Sequence, residues 1–253
     1  MLSADRSDLR MAIISDIHGN VCALEAVLSD IKTRAVSAVV NLGDCVTSPL
    51  WPKEALELLQ EHNFPTVRGN HDREIGGDYS RLIPSAQFAY AALSSEQRHA
   101  LSTLPPMLQV TQEILAVHGT PSDDSTYLLE EIIDGRLVPA KRETITDRLG
   151  VVKTGVEIVL CGHSHNQGFR QIPNGPLVLN PGSVGCPVMA DRPTARTLEY
   201  RSPHARYSIL TRNNGRWGAE MVALEYDWRS ASQKALANGR SDWAQAMATG
   251  TVS

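Results

Sequence analysis

The amino-acid sequence predicts an α/β protein (α+β in some classification schemes) with a layered core, because short apolar segments alternate with helical ones. Residues 11–15, 38–43 and 65–69 have the length and composition of strands, and polar residues follow each of them. Between them, apolar residues recur at helical spacing over 21–31, and 51–62 predicts a second helix. This strand-helix-strand-helix-strand order is typical of a sheet whose faces are covered by helices.

The middle of the chain predicts a helical cap and an insertion. Residues 73–106 are rich in alanine and helical in pattern, and they end at Pro105-Pro106, which cannot continue a helix. Residues 121–150 are charged and mixed in character, with a helical segment predicted near 127–132. We expect this insertion to overhang a functional site, and a variable loop without function is the alternative.

Two more strands, within 113–119 and 157–163, flank the insertion. After residue 168, short alternating segments are separated by Pro-Asn-Gly-Pro and Asn-Asn-Gly, and Asn-Gly between strands is a strong hairpin signal. The Ala-rich residues 227–253 predict a C-terminal helical tail. Residues 1–10 predict a flexible leader, and residues 11–253 predict a single domain.

The composition predicts a cytoplasmic globular protein. Of the 253 residues 42% are hydrophobic, which is enough for a core, while the formal net charge of -4 argues against a stable nucleic-acid complex or an anionic membrane. The segment MLSADRSDLR lacks the apolar centre of a signal peptide, and no apolar run approaches the length of a membrane span. The four cysteines form no CxxC pair and are expected to be reduced thiols.

Five successive predicted strands end in side chains that bind metals. The candidate ligands are Asp16, His18, Asp44, Asn70, His118, His163 and His165. Because ligands bind at the carboxyl ends of strands in open α/β sheets, we expect these side chains to converge on one crevice. A His, Asp and Asn set without a thiolate suits Mn, Fe or Zn rather than a Cys-rich structural zinc site. Seven candidates exceed the needs of one tetrahedral ion and suit two ions that share a carboxylate.

The strand-end motifs resemble those of the calcineurin-like metallophosphoesterases, in particular the small bacterial and archaeal phosphodiesterase branch. The motifs that carry the resemblance are SDIHGN (15–20), LGD (42–44), GNHD (69–72), VHG (117–119) and GHSH (162–165). NPGSVG (180–185) is also similar, and the match runs from about residue 11 to 226. Any one of these motifs is common enough to occur by chance, but chance does not account for all five in this order. The resemblance implies a four-layer α-β-β-α sandwich with a helical cap.

The resemblance also implies a role for each candidate residue. It assigns two groups of three ligands: Asp16, His18 and His165 for one ion, and Asn70, His118 and His163 for the other. Asp44 would bridge the two ions, and His71 would stay unligated near the substrate. Asp72 and Ser164 stand where Glu and Thr are commoner in the family, but neither is a ligand position.

The expected reaction is hydrolysis of a phosphate ester. Two ions lower the pKa of a bridging water and clamp the phosphate oxygens, so we expect in-line attack by a metal-bridging hydroxide. His71 is the expected general acid for the leaving group, a role that typically contributes about 10²–10⁴-fold. Mn²⁺ is the expected ion, with Fe, Zn and Ni as alternatives.

Asn20 has two interpretations. It directly precedes the apolar helical pattern that starts at Val21, so N-capping of that helix accounts for it fully. A contact with the substrate phosphate is the second interpretation, and the sequence does not choose between them.

The expected partner is a small phosphorylated substrate or a nucleotide, and self-association stays open. A non-catalytic scaffold of the same fold is one alternative, although such a protein would be expected to lack His71 or some ligands. A protein phosphatase is another. The motifs do not choose the substrate, because the selecting residues of a shared metal centre lie in variable loops.

Overall fold

The structure is a computed structural model that describes residues 8–134, 136–191 and 196–251. Within these ranges the helices are α1 (Val21–Thr33), α2 (Pro52–His62), α3 (Asn70–Glu74), α4 (Pro84–Ala92), α5 (Ser95–Ser102), α6 (Arg142–Leu149), α7 (Trp228–Ala237) and α8 (Ser241–Thr249). The strands are β1 (Leu9–Ile14), β2 (Ala38–Asn41), β3 (Met107–Gln109), β4 (Ile114–Val117), β5 (Glu130–Ile133), β6 (Arg136–Pro139), β7 (Ile158–Leu160), β8 (Gly168–Gln171), β9 (Leu177–Asn180), β10 (Val188–Asp191), β11 (Arg196–Glu199), β12 (Ala205–Asn213) and β13 (Arg216–Leu224).

Two mixed sheets form the centre of the molecule. The first has the order β13-β12-β1-β2 and the second the order β3-β4-β7-β9-β8. In each sheet two neighbouring strands that precede predicted ligands are parallel, β1 with β2 and β4 with β7. Their carboxyl ends therefore meet at one edge of each sheet. A third sheet, with the order β10-β11-β6-β5, consists of four-residue strands.

The alternation of side chains in β1 shows why the fold has four layers. Met11 and Ile13 pack into the apolar cluster between the two sheets, together with residues of β4 and β7. Ala12 and Ile14 point the opposite way and pack against α1 and α2. On the far side of the second sheet, α6 packs against β4 and β7. The predicted α-β-β-α sandwich is confirmed.

Two helices, α7 and α8, form a hairpin within the segment 227–253 for which the sequence predicted a helical tail. Helices α7 and α8 bury Ala231, Ala235, Ala244 and Met247 in a cluster with Leu50, which lies in the loop before α2. The Asn-Gly hairpin is also confirmed, because Asn214 (φ +50°) and Gly215 (φ +76°) connect β12 to β13. Two positive φ angles match the right-handed twist of the paired strands.

Three sequence predictions need correction. The strand at 65–69 is only an isolated bridge between Thr66 and Asn41, because Pro65 has no N–H and the N–H of Arg68 bonds to Pro105 instead. The prediction of a helical segment near 127–132 is wrong, because the end of this segment lies in β5, which pairs with β6. Strand pairing stabilises these residues better than an isolated short helix could. The flexible leader predicted for residues 1–10 extends too far, because β1 begins at Leu9. Residues 1–7 lie outside the described residues.

No helix among the described residues is long and apolar enough to cross a membrane.

Candidate metal centre

The loops that follow β1, β2, β4 and β7 are hydrogen-bonded to one another. The N–H groups of Asp16 and His18 donate to the carbonyls of Gly43 and Asp44, at 2.9 and 3.0 Å. The N–H of Gly162 donates to the carbonyl of His118 at 2.7 Å. These bonds fix the strand ends within each sheet, and the hydrogen bond from His118 Nδ1 to the carbonyl of Leu42 joins the ends of the two sheets.

The backbone of this region is strained at the ligands themselves. Five of them have a left-handed φ: Asp16 (+55°), His18 (+45°), Asp44 (+55°), His163 (+66°) and His165 (+59°). Such a conformation costs a residue other than glycine about 1–3 kcal/mol, and it persists only where the surrounding structure imposes it. The concentration of strain at one site is typical of a functional constellation.

The first group of side chains consists of Asp16, His18 and His165, which are all buried. Asp16 Oδ1 lies 3.3 Å from His165 Nε2 and 3.8 Å from His18 Nε2. The other carboxylate oxygen, Oδ2, accepts from the Ser15 hydroxyl at 2.5 Å and from the backbone N–H of His163 at 3.2 Å. The carboxylate is thus held so that Oδ1 faces the two imidazoles.

The second group consists of Asp44, His118 and His163. His118 Nε2 lies 3.3 Å from Asp44 Oδ2 and 3.2 Å from the side-chain oxygen of Asn70. His118 Nε2 is also 4.0 Å from Asp16 Oδ1, so the two groups adjoin and form one centre. The structure brings together all seven predicted ligands, and the bridging role of Asp44 stays a prediction.

Backbone carbonyls fix the orientation of the four imidazoles. The ring nitrogens that donate to carbonyls are Nδ1 of His18 to Thr47 (3.1 Å), Nδ1 of His118 to Leu42 (2.7 Å), Nδ1 of His165 to Cys186 (3.1 Å) and Nε2 of His163 to Ser125 (3.0 Å). A carbonyl oxygen only accepts, so in the neutral form of each imidazole the other ring nitrogen carries the lone pair. Metal-binding histidines are held in this way, with the second nitrogen available to the ion.

Two features of the first group fit a bound cation. The Nε2 atoms of His18 and His165 lie 3.0 Å apart, and each carries a lone pair when the Nδ1 atom of its ring carries the proton. Asp16 Oδ1 is buried without a hydrogen-bond donor. Lone pairs and a carboxylate oxygen that face each other repel, and a cation between them removes the repulsion.

Protons compete with a metal for these ligands. Burial raises the pKa of Asp16, but His165 outweighs it and the pKa falls to about 2. Burial lowers the pKa of His118, but Asp44 outweighs it and raises the pKa to about 10. Burial and the nearby His165 lower the pKa of His18 to about 4. Because a histidine must be deprotonated to bind a metal, ion affinity is expected to weaken as the pH falls.

His71 lies beside the centre and outside both groups. Its ring centroid is 5.8 Å from that of His18, and the backbone N–H of His71 donates to Asp44 Oδ1 at 3.0 Å. Nδ1 lies 3.5 Å from Glu74 Oε2. Burial alone would lower the pKa of His71, but Asp44 and Glu74 together raise it.

The substrate contact considered for Asn20 is not supported. Asn20 is fully buried, and its side-chain oxygen accepts from the N–H of Ala23 as the N-cap of α1. Its amide group donates to the carbonyl of Gly185 at 3.0 Å and to the hydroxyl of Tyr226 at 3.1 Å. These internal bonds occupy the side chain, so Asn20 is a structural residue.

Asp72 has a positioning role that the sequence did not indicate. Its fully buried carboxylate accepts from three backbone N–H groups: Asp44 at 2.8 Å, Cys45 at 3.0 Å and Gly69 at 2.9 Å. It therefore connects the loop that carries Asp44 to the start of α3, which carries Asn70. The pattern GNHD gave no signal for this connection, because Asp44 and Cys45 are distant from Asp72 in sequence.

The start of the 121–150 insertion lies against the second group. The ring of Tyr127 stacks on His163 with centroids 4.7 Å apart, and the carbonyl of Ser125 orients the same imidazole. Asp124 accepts two hydrogen bonds from Arg73 of α3, at 2.8 and 2.9 Å. These contacts place residues 124–127, the start of the insertion, beside the centre, and an overhang of the whole insertion stays a prediction.

Two solved structures share the fold. The chain aligns with a metallophosphoesterase from Sphaerobacter thermophilus at a TM-score of 0.72 and 22% identity, over 96% of this chain and 100% of that one. It aligns with a hypothetical protein from Pyrococcus horikoshii OT3 at a TM-score of 0.72 and 19% identity, over 97% and 100% of the two chains.

The sequence comparisons identify the family. A curated relative, an uncharacterized protein of Methanocaldococcus jannaschii, is 27% identical over 258 residues, which cover 92% of this chain and 94% of that protein. The family model of the calcineurin-like phosphoesterase superfamily domain matches residues 9–202. The fold and the paired His/Asp groups define a protein of the metallophosphoesterase class. The chain belongs to the calcineurin-like phosphoesterase superfamily, which confirms the resemblance of its five motifs.

Replacement of Asp72 by Asn should destabilise the protein and weaken metal retention. An amide nitrogen would face a backbone N–H in place of a carboxylate oxygen, so a buried hydrogen bond is lost and two donors meet. We expect a loss of about 2–4 kcal/mol in the free energy of unfolding, measured by urea denaturation. Asp78→Asn on the exposed surface is the control, and equal behaviour of the two variants would contradict the positioning role.

Glu130 of β5 supports the loop that carries His163 and His165. The side chain is buried, with Oε1 accepting from the amide of Asn166 at 3.1 Å, while Oε2 has no hydrogen-bond partner among the described residues. Burial raises the pKa of Glu130 above its ordinary value of 4.5. The charged form therefore disfavours folding, and stability is lost as the pH rises through 4.5 toward the raised value.

Replacement of Glu130 by Gln removes this pH dependence. The variant should gain stability relative to the wild type when the pH increases from about 4.5 to about 8, because only the wild type must bury a charge at the higher pH. Urea denaturation of both proteins across this range measures the difference. A stability difference that stays constant with pH would contradict the assignment.

Proposed function

We propose that this protein is a dinuclear-metal phosphoesterase that hydrolyses a phosphodiester or phosphomonoester of a small molecule or nucleotide. The observation that carries the proposal is the pair of adjoining groups at the strand ends, in which Asp16 Oδ1 is buried without a donor. Membership of a phosphoesterase superfamily supports the reaction class.

Seven side chains would hold the two ions. Asp16, His18 and His165 supply the ligands for one, and Asn70, His118 and His163 supply those for the other, with Asp44 shared. Two divalent ions bound there supply a nucleophile near neutral pH and positive charge against the phosphate. The donors are imidazole, carboxylate and amide without thiolate, which supports Mn²⁺, with Fe, Zn and Ni as alternatives.

His71 is the proposed general acid. Its Nδ1 is directed toward Glu74, so Nε2 would deliver the proton to the leaving oxygen. The negative charges of Asp44 and Glu74 raise its pKa and favour the protonated form that an acid needs. The backbone bond from His71 to Asp44 keeps the acid at a fixed position relative to the shared ligand.

The surroundings of the centre support a small substrate over a phosphoprotein. Ser125 and Tyr127 of the insertion contact His163 on one side. Trp243 of α8 lies beside His18 on the other, with ring centroids 6.5 Å apart. A centre with side chains on both of these sides suits a small phosphate ester. We further propose a cytoplasmic location, which the four free cysteines support.

Metal removal and restoration test the proposed function. The chelator-stripped protein should be inactive toward bis-p-nitrophenyl phosphate, and Mn²⁺ should restore hydrolysis, with Fe²⁺, Zn²⁺ and Ni²⁺ tested in parallel. Asp16→Asn should lose both metal content and activity. Retention of two ions per chain with no turnover on diesters, monoesters, nucleotides or phosphopeptides would instead favour a non-catalytic scaffold.

His71→Gln should separate metal binding from proton transfer. The variant should keep its metal content and lose about 10²–10⁴-fold in kcat for an alkyl ester, whose leaving group needs a proton. The loss should be smaller for a p-nitrophenyl ester, since p-nitrophenolate leaves without one. His62→Gln on α2, whose ring stacks on Phe64, is the matched control. An equal loss for both esters would exclude His71 as the acid.

A further inference from the structure

We propose that Trp243 is a specificity residue whose indole ring forms a stacking surface for a planar group of the substrate, such as a nucleobase. The inference deepens the proposed function and rests on it, because the phosphate must bind at the metal centre for its organic group to reach Trp243. It narrows the substrate class to phosphate esters that carry a flat ring.

The position of Trp243 is the first argument. Its ring meets that of His18 edge to face, with centroids 6.5 Å apart and planes at 66°. His18 belongs to the first ligand group and lies 5.8 Å from His71, centroid to centroid. Trp243 therefore borders the part of the centre where a substrate contacts both an ion and the proposed acid.

The helix that carries Trp243 is firmly docked beside the first ligand loop. Met247, one turn further along α8, is fully buried and lies 3.6 Å from the amide nitrogen of Asn20, sulfur to nitrogen. The amide of Asn238, at the end of α7, donates to the carbonyl of Pro49 at 2.8 Å. A ring held on such a support offers a preformed surface at low entropic cost.

Packing alone does not account for this tryptophan. Ala244, Ala246 and Met247 provide the buried face of α8, and Trp243 packs against their cluster but is only partly buried. Trp217 donates its indole N–H to Glu157 at 2.6 Å, but that of Trp243 has no partner within the described part of the chain. A partly exposed ring with an available N–H suits stacking on a ligand, with the N–H contacting a polar atom.

The chemistry of the surface favours a nucleobase or aryl group over an anionic or aliphatic one. Every base has a π-face, so base–aromatic stacking needs no specific hydrogen-bond pattern. The ions would bind the phosphate, and the ring would bind the organic group. Binding energy from a part of the substrate that does not react can in this way position the ester for attack.

A matched pair of inhibitors tests the proposal. Adenosine 5′-monophosphate and methyl phosphate carry the same phosphate monoester and differ in the organic group. Their inhibition constants are measured against bis-p-nitrophenyl phosphate with the Mn²⁺-loaded protein. In Trp243→Leu the constant for adenosine 5′-monophosphate should rise about ten-fold, while that for methyl phosphate should change by less than about two-fold. Trp243→Phe should retain most of the affinity.

Trp228→Leu is the control on the same helical hairpin, because Trp228 contacts His204 and Tyr226 instead of a ligand. It should leave both constants unchanged, and melting temperatures show whether each variant is folded. Equal weakening of both inhibitors in Trp243→Leu would indicate a structural role and overturn the proposal. An unchanged constant for adenosine 5′-monophosphate would also overturn it.

Direct binding separates this proposal from the proposed function. Quenching of tryptophan fluorescence by adenosine 5′-monophosphate is measured on the metal-loaded protein, which requires no turnover. If the wild type hydrolyses no ester but quenching is present and is lost in Trp243→Leu, the proposed function fails and the stacking surface stands. If hydrolysis is present and neither quenching nor inhibition depends on Trp243, only the stacking surface fails.

Discussion

Two carboxylates, Asp16 and Asp44, are buried among four imidazoles, and the surrounding structure is organised to hold them there. Burial of a charge is costly unless opposite charges and hydrogen bonds compensate for it. The compensation here comes from Ser15, from backbone N–H groups and from the histidines, and it requires several loops to meet at fixed positions. The left-handed residues and the Asp72 carboxylate are the means by which the backbone reaches those positions.

The candidate ligands could be predicted because most of them lie just after an apolar strand, and parallel strands bring their carboxyl ends together. A layered α/β core followed from the same local patterns, and its four-layer arrangement from the resemblance to the family. Prediction failed where distant partners decide the outcome. Residues 130–133 form a strand only because 136–139 pairs with them, and Thr66 pairs at a single point. The carbonyls that orient the imidazoles and the contact between Trp243 and His18 have no local sequence signal, since the tertiary fold alone brings them close.

The centre and its surroundings come from different parts of the chain. The sandwich supplies the ligands from short loops between core elements, where packing on both sides limits movement. The insertion approaches from the side of His163, and the C-terminal hairpin from the side of His18. The core sheets thus hold the candidate ligands, and the insertion and the hairpin border the centre on two sides.

The pairing of β1 has a consequence for biosynthesis. This strand precedes Asp16 and His18, yet one of its two neighbours is β12, with Met11 opposite Leu210. Contacts of such large sequence separation form slowly, since the chain between them must first be closed into a loop. During translation the first sheet stays open until residues 205–213 have left the ribosome. We therefore expect the positions of the candidate ligands Asp16 and His18 to be fixed only after β12 has been synthesised.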